Sequence, residues 1–195
     1  KLIKDNVKTF LVPLGIGSHL KSWDVDEENI NEMNWGQSYK MNSIEFICLP
    51  ARHFSGRGPM NKNSTLWSSW AIKSEVLKVY FSGDTGYGRH IKKIGEDHGP
   101  FDISLIDCGQ YNLAWEHSHM FPHQAVAAAI ELKSTYFMPI HWGGFTLALH
   151  PWDEPVKKSR ELAEKIGLKC ITPRIGEVLS RYTIDKEFNT WWDKY

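Results

Sequence analysis

The sequence has no excess of either charge: 23 Lys+Arg balance 23 Asp+Glu among 195 residues, for a formal net charge of zero. A nucleic-acid binder held by a general basic field shows a strong cationic surplus, so this balance argues against that class. No apolar run approaches the ~20 residues of a membrane-spanning helix, and no segment is read as crossing a bilayer. Cysteine is scarce: Cys48, Cys108 and Cys170 stand apart without CxxC spacing. That excludes a zinc knuckle or a disulfide framework, and the three read as small buried apolar residues in a reducing compartment. Repeats, low-complexity tracts and Pro/Gly/Ser-rich linkers are all missing, so residues 1–195 read as one domain. What remains is core-forming, with 42% hydrophobic and 24% charged residues, which argues against disorder.

Residues 1–43 are mixed, with an acidic stretch at Asp24, Asp26, Glu27 and Glu28 that reads as a solvated loop or helix start. Strands are expected at Ile44–Leu49, ending at Pro50, at Thr65–Ser74 and at Val76–Phe81, the last two forming a hairpin. A helix near Gly88–Glu96 precedes a strand at Asp102–Asp107. Phe121-Pro122-His123 opens a helix to about Lys133, where Pro122 suits the first turn and the alanines favour helix. Tyr136–His141 is the next strand, Glu154–Ile166 a helix stopped by Gly167, and Lys169–Pro173 and Glu177–Tyr182 final strands. Strands alternating with helices indicate a layered α/β fold.

Three segments share a design in which a strand runs into a loop with a metal-capable residue at the junction. They are Pro50-Ala51-Arg52-His53-Phe54-Ser55-Gly56-Arg57, Phe81-Ser82-Gly83-Asp84-Thr85-Gly86 and Pro139-Ile140-His141-Trp142-Gly143-Gly144-Phe145. Strand ends along one rim of an α/β sheet are where reacting groups collect, and two imidazoles with a carboxylate suit zinc or a similar cation. Each residue also has a plainer reading. A histidine after a strand is often a hydrogen-bonded structural residue, and Gly-Asp-Thr-Gly can be an Asx-type turn.

Taken in order, PARHFSGR, YFSGDTGY, FDISLIDCGQY, PHQAV and IHWGGF resemble the metallo-β-lactamase superfamily. The nearest branch in pattern is the N-acylphosphatidylethanolamine-hydrolysing phospholipase D group with its bacterial relatives, and the resemblance runs from Phe10 to at least Glu177. It implies a two-metal hydrolase in which His53, Asp84 and His141 bind zinc. Asp84 bridges ions ~3.5–4 Å apart, and the metals activate the attacking water.

The family's HxHxDH motif does not occur in these residues, and the chain opens on Lys1. The resemblance therefore implies the C-terminal half of an αβ/βα sandwich. Such a fragment has too few zinc ligands to turn over and is expected to bind metal weakly or not at all. It would also bare the sheet face carrying Trp67, Trp70, Ile72, Val79 and Phe81, so a homo-oligomer is expected.

Glu116 to His123 holds a further cluster, His117, His119 and His123, which can be a metal-chelating HxH or an exposed polar loop. The resemblance places His119 near the substrate phosphate. It joins Asp84 in the expected catalytic set as a hydrogen-bond donor or proton carrier, while His117 and His123 are left structural. His19, His90, His98 and His150 read as surface or structural. The aromatic tail Phe188, Trp191, Trp192 and Tyr195 packs onto its own domain or a partner subunit in the favoured reading, and anchors at a membrane interface in the other.

The resemblance thus implies a parent phosphodiesterase acting on a phospholipid or other phosphodiester, in the cytoplasm or peripheral to a membrane. The alternatives are a lactonase or ester hydrolase of the same superfamily, or a binding module whose site no longer catalyses.

Overall fold

A computed structural model describes residues 6–56, 60–145 and 147–195. Arg57, the last residue of the first quoted block, lies outside the described residues. The main sheet has seven strands in the order β3-β4-β5-β6-β7-β8-β9. These are β3 (Ser38–Met41), β4 (Ile44–Pro50), β5 (Ser68–Lys73), β6 (Lys78–Phe81), β7 (Ile103–Asp107), β8 (Tyr136–Ile140) and β9 (Lys169–Cys170). Pairing is antiparallel from β3 to β6 and parallel from β6 to β9. The parallel half needs crossovers, supplied by the helices α2 (Arg89–Asp97), α3 (Pro122–Glu131) and α4 (Glu154–Lys165). Pro139 cannot donate to a ladder, and it falls where β9 has already ended, so no sheet bond is lost.

Period-two alternation sorts the strands into two faces. Ile47, Leu49, Ala71, Tyr80, Ile106 and Phe137 point to one face, where Ile91 and Ile94 of α2, Ala125, Val126, Ala128 and Ala129 of α3, and Ala163 of α4 cover them. The opposite face, expected to be bare, is partly covered by the chain itself. Ile171 and Phe188, with Leu179 and Ile184, pack over Val79, Ile103, Leu105, Tyr136 and Met138. Trp67, Trp70 and Ile72 are half-buried and Phe81 is exposed. In the aromatic tail, Trp192 and Phe188 are buried against the domain while Tyr195 is open to solvent.

The expected strand at Glu177–Tyr182 does not form. Ser180 and Thr183 draw this segment into local turns: Ser180 N donates to Thr183 Oγ1 at 3.0 Å, and Ile184 N donates to Ser180 O at 3.0 Å. Such side-chain and turn bonds compete with a ladder. The first 43 residues, which carry no clear period, hold β1 (Phe10–Pro13), α1 (Ile16–Ser22) and β2 (Ile30–Met33). The acidic stretch does start a short 3-10 turn at Glu27–Asn29. Strands β1 and β2 pair in parallel as a separate two-stranded sheet. Glu32 Oε1 accepts from Gly15 N at 2.7 Å and Gly17 N at 2.8 Å, satisfying donors at the start of α1. Among the described residues no helix is long and apolar enough to cross a membrane.

Candidate metal centre

The site forms where the loops after β4, β6, β7 and β8 meet. The loops after β4 and β6 are joined across the intervening β5. Arg52 N donates to Thr85 Oγ1 at 2.8 Å, and Gly86 N donates to Arg52 O at 2.8 Å. Gly83, at φ 58°, takes the left-handed turn that brings the chain from β6 into Asp84. The segment carrying His117 is pressed onto this loop: a Cβ on Gly86 would lie 2.0 Å from His117 O.

His53 Nδ1 lies 2.8 Å from Phe54 O, and a carbonyl can only accept, so Nδ1 carries the proton. Its other nitrogen, Nε2, is buried with no hydrogen-bond partner among the described residues. A buried ring nitrogen left without a partner, and set within 4.8 Å of a carboxylate and a second imidazole, fits a cation. Asp84 Oδ1 stands 3.7 Å from His141 Nε2. His53, Asp84 and His119 each offer a ligand atom within 4.8 Å of the others, and so do Asp107, His119 and His141. His119 links the two groups, its ring centroid 5.2 Å from those of both His53 and His141. Nitrogen and carboxylate donors of this mixture suit zinc-like ions, so the residues present fit such a group.

His141 itself adopts φ 66°, a left-handed conformation uncommon outside glycine and often seen at functional sites. The next residue, Trp142, holds the turn. Its ring stacks with Trp152 at 6.3 Å and Trp191 at 5.3 Å, and its Nε1 donates to Pro139 O at 2.9 Å. Further along the loop, buried Gln110 accepts from Leu147 N at 3.1 Å and Ala148 N at 3.0 Å, and donates to Phe145 O at 2.8 Å.

Asp107 was not singled out in the sequence, where it reads as the last residue of a strand. It is fully buried and holds His119, with Oδ2 2.8 Å from Nδ1. The signal was an acid ending a buried strand two residues before a glycine. Burial disfavours the His119 imidazolium. The hydrogen bond and charge of Asp107, with Asp84 adding, outweigh that penalty and lift its pKa above the ordinary histidine value. The side chain of His117 is exposed, His123 packs near Phe121, and His150 stacks on Tyr111, so none of these three enters the cluster. Cys48 is buried and its thiol is pushed up to about 11, Cys170 to about 12, and Cys108 also upward by burial. Thiols held protonated in this way are inert packing residues.

A model of the beta-lactamase superfamily domain matches residues 2–142. The chain belongs to that superfamily. An uncharacterized protein of Mycobacterium tuberculosis is 44% identical over 186 residues, which cover 94% of this chain and 50% of the relative. N-acyl-phosphatidylethanolamine-hydrolyzing phospholipase D 1 of Caenorhabditis elegans is 35% identical over 191 residues, covering 90% of this chain and 53% of the relative. Among solved structures, a metallo hydrolase from the archaeon Ignicoccus hospitalis superposes with a TM-score of 0.67 at 21% identity. That match covers 88% of this chain and 68% of the neighbour. The metallo-β-lactamase fold protein YhfI of Bacillus subtilis superposes with a TM-score of 0.57 at 13% identity, covering 85% of this chain and 63% of the neighbour, and shows the same fold. The chain spans about half the length of the curated relatives named here.

Proposed function

We propose that the whole protein is a zinc-dependent phosphodiesterase of the phospholipase D type, acting on an N-acylated phosphatidylethanolamine or a similar phosphodiester. The observation carrying this reading is the unpartnered, buried Nε2 of His53, set beside Asp84, which itself reaches His141. Similarity to the nematode phospholipase supports the substrate class.

In this reading His53, Asp84 and His141 would hold divalent cations, and those ions would supply the Lewis acidity of the site. Three side chains for two ions fall short of the three protein ligands plus water typical of each catalytic zinc, so the full shell draws on groups outside this set. Bound zinc would supply an acidified water and offset charge on the phosphate. His119 stands between the two halves of the cluster. It donates a hydrogen bond to the phosphate oxygens and passes a proton toward the departing group. His119 is buried and held by Asp107, and a donor fixed in that way needs little reorganisation as charge develops, which is the source of its effect. A phospholipid substrate places the reaction at a membrane surface.

The test is release of the phosphatidic product from vesicles containing N-acylphosphatidylethanolamine, compared with opening of a simple lactone. The proposal expects phosphodiester turnover that is lost in Asp84→Asn and reduced on the order of 100-fold in His119→Ala. Turnover of the lactone alone would overturn it.

A further inference from the structure

The carboxylate of Asp107 is fixed from several sides. Its Oδ1 accepts from Gly109 N at 3.2 Å, and its Oδ2 accepts from Thr85 N at 3.2 Å. Oδ2 also lies 2.8 Å from His119 Nδ1, while the Asp107 backbone N donates to Ser82 Oγ at 2.9 Å. Asp107 is 0% exposed and His119 7%. A buried carboxylate holding three donors cannot swing to another partner without leaving groups unsatisfied.

We propose that Asp107 is the positioning residue for His119. Its carboxylate holds the ring with Nδ1 inward, so that Nε2 is presented to the cleft between His53 and His141. An ionised carboxylate only accepts hydrogen bonds, so the shared hydrogen sits on Nδ1 and the ring cannot turn over without breaking that bond. The segment around His119 is a turn outside helix or strand, so the backbone alone does not fix the ring. The same carboxylate reaches the residue after Asp84 and the glycine packed on the His141 carbonyl, so it ties the loops after β6 and β7 to one side chain beside the β8 loop. A carboxylate behind a functional histidine is a recurrent way of setting imidazole orientation and tautomer.

The inference rests on the reading of His119 as a substrate-contacting group, and the test separates the two. Long-range proton–nitrogen NMR on histidine-labelled protein reads the position of the ring proton directly. The wild type should show a protonated, hydrogen-bonded His119 Nδ1, and Asp107→Asn should lose that signature. If Asp107→Asn does not fold, the wild-type spectrum decides alone: an unprotonated Nδ1 overturns the proposal. In turnover assays of the whole protein, Asp107→Asn should lower kcat by about 10–100-fold. The double change with His119→Ala should cost no more than His119→Ala by itself, and additive losses overturn the proposal. Full turnover in His119→Ala beside an intact Nδ1 signature supports the positioning and removes the catalytic reading instead.

Discussion

Gly109 and His141 show how closely this site is built at the level of single residues. A Cβ added at Gly109 would fall 1.5 Å from the His141 carbonyl oxygen, so any side chain there must push the left-handed His141 turn away from β7. Gly109→Ala should therefore destabilise the protein by at least about 1–3 kcal/mol, read as a lower urea midpoint. An unchanged midpoint would mean that the loop gives way freely. His90 sets a second expectation. Burial first, and the nearby Arg52 second, pull its pKa down to about 4, while its Nε2 sits 3.4 Å from Thr85 Oγ1 beneath the site loop. The folded state thus favours the neutral ring, whereas the unfolded chain titrates near ~6.5. Stability from this residue is intact above that value and drains away as pH falls toward 4, by on the order of 1–3 kcal/mol. His90→Gln should flatten that part of the stability–pH curve, and an identical slope in both proteins would contradict the assignment.

Among elements, α2 and α3 approach each other closely behind the sheet. A Cβ on Gly95 of α2 would lie 1.9 Å from Glu131 O at the end of α3, so the two helices meet backbone to side-chainless backbone. Gly95→Ala should force them apart at a cost of about 1–3 kcal/mol despite alanine's better helix propensity, and a thermal midpoint at or above wild type would refute this. The elements legible in the sequence are those whose pattern is decided locally. The apolar run of β7, the alternation of β4 and the Pro122 start of α3 all announced themselves. Strands β1 and β2 did not, because each is four residues long and none of β1 is fully buried. The segment at 177–182 has strand-like composition, yet Ser180 and Thr183 give its backbone nearer partners than any strand could.

At the scale of the whole molecule, His53, Asp84 and His141 stood out as candidate ligands because each follows a strand and the ordered motifs match one superfamily. The position of His119 between them, and the carboxylate behind it, follow from β7 and β8 lying side by side and from the turn that presses residue 117 onto the loop after β6. No spacing in the chain encodes that contact; only the folded sheet does. Shared cation binding by His53, Asp84 and His141 underlies the whole proposal. Its most direct test is a zinc titration of the chain followed through histidine imidazole resonances, which report even weak binding. His53 and His141 should respond together and ahead of the other histidines as zinc rises, Asp84→Asn should abolish that coupled response, and His19, His117 and His123 should stay still. Zinc shifts confined to His19, His117 and His123, with His53 unmoved, would overturn it.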